Sequence, residues 1–357
     1  MGALRLHQLA HPRGREGRAR PAAPDRPRQE AGRRVPRCHR GDAVRVGSGG
    51  GGAVNARADL PLGLVYDLPL DDYLAVDAVS STDLRLLSRS PWHYRNRIEV
   101  AQTRSMLRGT LAHCAVLEPD AMAQRFVVVP EDAPRMPSKS QWAAKKPSAD
   151  SQAAMAWWTI FQEANAGRDL VSREDYAVCQ QQLDAVRQQP RLAELLRAGR
   201  GEVSVFWIDE ATGIYCKARP DWLPLGDLAA SPLDLKTCVD ESPSGFGRAA
   251  ARLRYDLQAA HYTAGIEAVT RVKVDAFVFG AVTNKPPVLA VPYVLTDEIR
   301  DQGREERREL MERLVWCRRE NEWPAYGAGV QLLDFPAYAK QSGEVEVEWS
   351  SDTQESP

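Results

Sequence analysis

The sequence lacks the long apolar runs, the paired cysteines and the phosphate-binding loop that would point to several large classes of protein. No stretch of the 357 residues approaches the ~18 consecutive apolar residues of a membrane-spanning helix, and no short apolar core typical of a secretory signal opens the chain. The six cysteines include no Cys-x-x-Cys pair, which argues against a zinc ribbon, an iron–sulfur cluster or a dense disulfide framework. There is no Gly-x-x-x-x-Gly-Lys-Ser/Thr segment, so the chain has no ATP-driven motor of that kind. We therefore expect a cytoplasmic protein that needs neither a membrane nor ATP.

Net charge of either sign is also nearly absent, but the formal value of -1 hides an uneven distribution. Residues 1–50 hold 12 Arg, no Lys and 4 acids, a balance of +8, so the other residues carry a balance of -9. An acidic body does not exclude DNA as a substrate, because a nuclease that holds metal ions concentrates carboxylates at its centre.

Composition divides the chain into three parts. Residues 1–56 are rich in Arg, Gly, Pro and Ala without hydrophobic periodicity, which predicts a disordered basic segment. Such a segment is either an arm that touches DNA phosphates or a dispensable tail, and we favour the tail. Residues 342–357 are acidic and polar and are typical of a tail as well. With 43% hydrophobic residues overall, residues 57–341 are long enough for one large globular domain.

Hydrophobic periodicity predicts an α/β fold with a mixed central sheet flanked by helices. A helix start is predicted at the capping segment Ser80-Ser81-Thr82-Asp83, and a long surface loop is predicted for residues 131–150. The other predicted helices cover about 105–117, 152–165, 174–197, 247–270 and 295–319, and the predicted strands form a hairpin over 202–222 and lie at about 230–237, 274–283 and 288–294.

The densest group of chemically active residues is Pro220-Asp221, followed by Asp234-Leu235-Lys236. Two carboxylates near the ends of adjacent strands can share a divalent cation, and the period of two along a strand puts Asp234 and Lys236 on one face. We expect Mg²⁺, with Mn²⁺ as a substitute, bound by Asp221, Asp234 and the carbonyl of Leu235. Lys236 would position the attacking water and offset charge on a phosphate. This arrangement suits phosphodiester hydrolysis, although an isolated Asp-x-Lys triplet is common on surface strands.

Two further groups combine features that suit nucleic-acid binding. Lys217 and Arg219 alternate on the strand that leads to Asp221 and are candidate phosphate contacts, although surface strands often carry such charges for solubility. Trp92 and Arg95 belong to an aromatic and basic stretch that suits a stacking platform for a DNA end, with packing as an equal alternative.

Five motifs in the same order resemble the RecB-like branch of the PD-(D/E)XK nuclease superfamily, and most closely the exonuclease VIII (RecE-type) nuclease domain. They are Gly109-Thr110-Leu111-Ala112-His113, Glu202 at the start of the hairpin, Pro220-Asp221, Asp234-Leu235-Lys236 and Gln258-Ala259-Ala260-His261-Tyr262. The segments 80–94, 109–119 and 202–207 add to the resemblance, which extends over about residues 64–335.

The resemblance implies roles for four residues that would mean little alone. His113 becomes a metal ligand or a contact to a metal-bound water. Glu202 becomes a metal ligand or a neighbour of one, at even odds with an ordinary solvated carboxylate. Gln258 and Tyr262, four residues apart on one helix face, become catalytic groups that align the substrate. Gln258 would hydrogen-bond near the lysine or to the DNA, and Tyr262 would contact a phosphate.

The resemblance also implies an activity, which is 5′ to 3′ resection of linear double-stranded DNA to leave 3′ single-stranded tails for recombination by strand annealing. It further implies a homo-oligomeric ring and a single-strand annealing (RecT-like) partner, commonly in a phage or prophage. Two alternatives stay open: a structure-specific or single-strand DNA nuclease in repair, and a non-catalytic DNA-binding module of the same fold.

Overall fold

The computed structural model describes residues 61–98, 102–224, 231–327 and 329–330, all within the unit formed by residues 57–357. The predictions of a disordered segment at 1–56 and of a tail at 342–357 concern residues outside the described ones. Within the described part of the chain, no helix combines the length and the hydropathy needed to cross a membrane. The cysteines found there are unpaired and buried: Cys114, Cys179, Cys216, Cys238 and Cys317.

The described part of the chain contains both helices and strands, as the periodicity predicts. The strands are β1 Gly63–Val65, β2 Phe126–Val128, β3 Asp169–Val171, β4 Gly199–Gly201, β5 Ser204–Ile208, β6 Tyr215–Ala218, β7 Trp222–Pro224, β8 Leu233–Cys238, β9 Val278–Thr283 and β10 Ala290–Val294. The helices are α1 Leu70–Ala75, α2 Ser81–Arg89, α3 Pro91–Arg95, α4 Arg104–Leu117, α5 Met122–Arg125, α6 Lys139–Trp142, α7 Ala149–Ala164, α8 Arg173–Gln188, α9 Pro190–Leu195, α10 Pro243–Leu253, α11 Tyr255–Thr270 and α12 Asp297–Glu320, with one 3₁₀ turn at Pro119–Ala121.

The largest sheet is mixed and has the strand order β10-β9-β8-β7-β4. β8 and β9 run parallel, and the other neighbours in this sheet pair antiparallel. A second, antiparallel sheet has the order β1-β5-β6, and β2 pairs with β3 in parallel. The predicted mixed α/β fold is therefore confirmed.

Strand β9 is buried on both faces because helices cover the large sheet from two sides. Val278 and Val282 pack with residues of α8 and α9, whereas Phe279 and Ala281 pack with residues of α10 and α11. This alternation follows from the period of two along a strand, and an all-apolar strand is typical of a sheet with helices on both faces. The sheet is consequently a rigid platform for the side chains at the ends of β7 and β8.

Three predicted elements are interrupted in the structure. The helix predicted for 174–197 is divided into α8 and α9 at Pro190, whose ring cannot continue the backbone hydrogen bonds of α8. The helix predicted for 247–270 is divided at Arg254, which has a left-handed φ of 59°. In the predicted hairpin 202–222, β5 and β6 do pair, but β7 leaves them to join the large sheet. The predicted loop 131–150 contains the short helix α6.

Candidate active site

Helix α4 and strands β7 and β8 bring three of the predicted residues together. His113 lies in the last half of α4, Asp221 directly precedes β7, and Asp234 lies in β8. β7 and β8 pair antiparallel at Trp222 and Leu233, which places Asp221 next to Asp234 near the start of β8. The sequence predicts two aspartates near the ends of adjacent strands, and the pairing of β7 with β8 places them there.

The imidazole of His113 lies between the helix and the sheet. Its Nδ1 is 2.7 Å from the carbonyl oxygen of Gly109, one turn earlier, to which it donates. Its Nε2 is 2.9 Å from Oδ2 of Asp221 and 2.7 Å from the carbonyl oxygen of Leu235. Nδ1 uses its hydrogen for Gly109, and Nε2 faces two oxygen atoms that can only accept. A proton or a cation must therefore lie between Nε2 and these two oxygen atoms.

The pKa values of this pair follow from that contact. Burial alone would lower the pKa of His113, but the charge and the hydrogen bond of Asp221, with help from the Gly109 carbonyl, raise it to about 9. Burial opposes ionisation of Asp221, yet the charge of His113, its hydrogen bond and the charge of Lys236 hold the pKa of Asp221 below its usual range. The backbone N–H of Leu235 also donates to Asp221 Oδ2 at 2.6 Å. Without a metal ion, the pair therefore exists at neutral pH as imidazolium and carboxylate.

Asp234 is the most deeply buried acid of the site, with a side chain 2% exposed. Its Oδ1 accepts a hydrogen bond from Gln258 Nε2 at 2.8 Å, and its Oδ2 forms an ion pair with the Lys236 ammonium. Among the described residues, no hydrogen-bond donor of good geometry reaches Oδ2. Burial and the charge of Asp221 raise the pKa of Asp234 to about 6. These contacts agree with two predictions from the sequence. Asp234 and Lys236 share one face of the strand, and Gln258 lies beside them.

The donor atoms fit a hard divalent cation. One carboxylate oxygen of Asp221 and the carbonyl oxygen of Leu235 both lie within hydrogen-bond distance of the His113 imidazole nitrogen, and the buried Asp234 Oδ2 is paired with the Lys236 ammonium. Mg²⁺ and Mn²⁺ prefer oxygen ligands with an occasional imidazole. As the side chains stand, no set of three or more His, Cys, Asp or Glu converges among the described residues, since Asp234 is turned to Lys236 and Gln258. The metal-ligand role of Asp234 therefore stays a prediction.

Glu202 lies beside this cluster without touching its acids. Its carboxylate accepts a hydrogen bond from Arg219 Nε at 2.7 Å, and its backbone N–H donates to the carbonyl of Asp221 at 3.0 Å. Burial and the charge of Asp221 raise the pKa of Glu202 despite Arg219. The geometry makes Glu202 a neighbour of the predicted metal ligands, and its ligand role stays a prediction.

The predicted DNA contacts of Lys217 and Arg219 need correction. The Lys217 ammonium is buried and donates to the carbonyl oxygens of Tyr73, Leu74 and Val76 at 2.7–3.1 Å. The side chain of Arg219 is only 11% exposed and binds Glu202 and the carbonyl of Leu68. Both cations hold the segment before α2 against β6, so they are not free for DNA phosphates.

The structure also places the remaining predicted residues, Tyr262, Trp92 and Arg95. Tyr262 packs edge-on against Phe277. Burial, followed by the charge of Asp234, raises its pKa well above the usual value. Trp92 is half-exposed, and the Arg95 guanidinium lies 5.6 Å from the ring centre of Trp323.

Sequence reasoning missed Tyr255. Its ring centre is 4.9 Å from the Lys236 ammonium, a cation–π contact that helps hold the lysine beside Asp234. The signal is in the sequence, because Tyr255, Gln258 and Tyr262 are spaced three and four apart and so share one face of α11.

Comparisons with known proteins give a family. A family model described as a PDDEXK-like domain of unknown function (DUF3799) matches residues 80–335. A search of curated proteins finds no match.

Two solved structures resemble the chain. One, from Eubacterium rectale, is provisionally named an exonuclease; it has 13% identity and a TM-score of 0.47, with 75% of this chain and 95% of that chain covered. The other is a phage-related exonuclease from Haemophilus somnus 129PT, with 12% identity, a TM-score of 0.27, and 53% of this chain and 91% of that chain covered.

Proposed function

Because the chain belongs to the DUF3799 family of PDDEXK-like domains, we propose that it is a metal-dependent nuclease. In its specific form, the proposal is a Mg²⁺-dependent, ATP-independent 5′ to 3′ exodeoxyribonuclease that acts on linear double-stranded DNA. It leaves 3′ single-stranded tails for recombination by strand annealing. The direction of cleavage and the recombination role are supported by the resemblance of the five motifs to exonuclease VIII.

One observation carries the proposal: His113 Nε2, Asp221 Oδ2 and the Leu235 carbonyl meet at one point, next to the ion pair of Asp234 and Lys236. PD-(D/E)XK nucleases generally use divalent metal ions, and these atoms are the donors such an ion takes. When bound, the ion would polarise the scissile phosphate and lower the pKa of an attacking water.

The side chains around that point have separate tasks. Lys236 supplies a partly buried positive charge that can orient the water and offset the charge of the phosphate in the transition state. Gln258 holds one carboxylate oxygen of Asp234, and Tyr255 holds Lys236 from the other side. Preorganised groups of this kind lower the barrier because they need no rearrangement during the reaction.

The proposal includes two kinds of partner. A ring of several copies around the duplex would keep the enzyme on DNA between cuts without ATP, and a single-strand annealing protein would take up the 3′ tails. Both are supported by the family resemblance alone, and both are open to a test by light scattering and by co-purification.

The deciding experiment is digestion of a linear duplex labelled at the 5′ or the 3′ end, with Mg²⁺ and without ATP, beside a closed circular control. Early release of the 5′ label with an intact circle is the expected result. Lys236→Ala and Asp234→Ala should each slow cleavage about 10²-fold or more, and Lys285→Ala, which removes an exposed lysine, should not.

Other outcomes would replace the proposal. A cut circle would indicate an endonuclease, and preferential digestion of single strands would indicate a repair nuclease with the same core. No cleavage with Mg²⁺ or Mn²⁺ would favour a non-catalytic DNA-binding module. Wild-type rates for either site variant would refute the assignment of the catalytic centre.

A further inference from the structure

Residues 133–149, here called the basic loop, carry four basic side chains and no acidic one, in a chain whose formal net charge is -1. Within the part of the chain that the structure describes, none of the four forms an ion pair or donates a side-chain hydrogen bond. They are Arg135, Lys139, Lys145 and Lys146. Unpaired cations concentrated in one loop attract a polyanion more strongly than paired ones do, because no internal carboxylate competes.

The basic loop also presents an aromatic ring to solvent. Residues 138–146 are all exposed, and the Trp142 side chain at the end of α6 is among the exposed large apolar groups at 43%. Met136 is 48% exposed. An exposed tryptophan ring offers a large flat apolar face on which another ring can stack.

The basic loop is ordered although it buries little apolar surface. Ser138 and Gln141 form a capping box at the start of α6, and Gln141 Nε2 donates to Ser151 Oγ of α7 at 3.1 Å. Trp158 of α7 donates its indole N–H to the carbonyl of Pro134 at 2.9 Å. The backbone that carries the cations is therefore held in place before any ligand arrives, which lowers the entropic cost of binding.

The basic loop follows a strand that packs on α4, the helix that carries His113. It follows β2, whose Phe126 packs against Leu111 and Cys114 of α4. His113, on another face of α4, reaches the cluster at β8. The start of β2, from which the chain runs on to the basic loop, is thus separated from the catalytic cluster by the width of α4, about one helix diameter, ~10–12 Å.

We propose that the basic loop binds single-stranded DNA, with phosphates on its lysines and one base stacked on Trp142. Single strands fit better than duplex because only an unpaired base offers its face to a tryptophan, and base stacking beside a positively charged track is how single strands are bound without sequence preference. This binding goes beyond the proposed function and does not require cleavage.

The test is fluorescence anisotropy with a labelled single-stranded oligonucleotide and a duplex of the same length, in EDTA so that no cleavage occurs. The full chain is used, so that residues 1–50 contribute equally to every variant. The triple variant Lys139→Ala, Lys145→Ala and Lys146→Ala should flatten the dependence of log K on log[salt] by up to ~2, at about 0.7 for each phosphate that the variant no longer neutralises. Trp142→Ala should weaken binding of the single strand about 5- to 100-fold with that slope unchanged, and Trp142→Phe should restore part of the affinity.

A matched control removes three exposed arginines that are ion-paired, Arg191, Arg308 and Arg319. It should bind within about 2-fold of the wild type. An equal weakening in this control would overturn the proposal, since net charge alone would then explain binding. So would wild-type affinity of Trp142→Ala, or an equal weakening for duplex and single strand in that variant. Because residues 138–146 are exposed, unchanged thermal unfolding should accompany every substitution in that stretch.

Discussion

Acidification from pH 7 to pH 5 should destabilise this protein by about 2 kcal/mol through one buried histidine, His261 of α11. Its Nε2 lies 3.1 Å from the carbonyl oxygen of Val79 and 3.2 Å from that of Lys217. Its Nδ1 accepts a hydrogen bond from Arg307 Nε at 3.4 Å. The neutral ring with its hydrogen on Nε2 satisfies all these partners, whereas a proton on Nδ1 would face the donor and the charge of Arg307.

The magnitude follows from the pKa difference between the two states. Burial, and after it the charge of Arg307, lowers the pKa of His261 to about 3, whereas an unfolded histidine has a pKa near 6.5. Between these values only the unfolded state binds the proton, so stability is complete above pH ~6.5 and falls as the pH drops toward 3. Between pH 7 and pH 5, protonation of this histidine stabilises the unfolded state over the folded state by about 2 kcal/mol. The result is nearly the same for any folded pKa below ~4.

The assay is urea unfolding in EDTA at several pH values for the wild type and for His261→Gln. Glutamine keeps one N–H for the two carbonyls but does not titrate. Other acids titrate in both proteins, so the difference between the two pH profiles isolates His261. The wild type should lose about 2 kcal/mol more than His261→Gln between pH 7 and pH 5. A difference below about 0.5 kcal/mol would refute the reasoning, since the folded ring would then accept a proton at ordinary cost.

Three further substitutions test packing and the site. Gly265→Ala should lower the free energy of unfolding in urea by about 1–3 kcal/mol, because the added Cβ would lie 2.5 Å from the Trp207 ring. The control Gly247→Ala has open space around the added Cβ, so it should be neutral or slightly stabilising. Lys217→Met should cost about 2–4 kcal/mol, since it leaves three carbonyls without their shared donor; an unchanged midpoint would contradict this. Gln258→Ala should slow Mg²⁺-dependent cleavage about 10- to 100-fold without loss of stability, because Asp234 loses the donor that orients it; an unaltered rate in single-turnover digestion would argue against that role.

Local signals in the sequence predicted what local interactions decide. Helix α2 begins where the capping segment places it, because Ser80 and Asp83 bond each other's backbone across one turn. Asp234 and Lys236 share a face because strand geometry alone requires it. In contrast, the break at Arg254 depends on remote residues, since its guanidinium binds Glu306 of α12 as well as Asp256. No periodicity within residues 247–270 contains that information.

The meeting of the site residues is a matter of tertiary structure. His113 reaches Asp221 and the Leu235 carbonyl only because α4 lies across β8, with Gly109 close to Thr237. The motifs predicted which residues belong together through their resemblance to a family, and the spacing along the chain contains no such distance. The contact between Tyr255 and Lys236 was missed for the same reason, as it joins α11 to β8.

Lys217 and Arg219 show how a correct local inference led to a wrong role. The alternation along the chain predicts that both side chains project from one face, and both indeed lie over the ring of Tyr73, at 4.9 and 5.4 Å from its centre. The alternation does not show that residues before α2 cover this face. Carbonyl oxygens bind Lys217, and Glu202 binds Arg219, in place of phosphates. A charged pair on a strand indicates a binding surface only when no other segment packs over it. The basic loop satisfies that condition across residues 138–146, which are exposed throughout, and for this reason DNA contacts are better sought there than on β6.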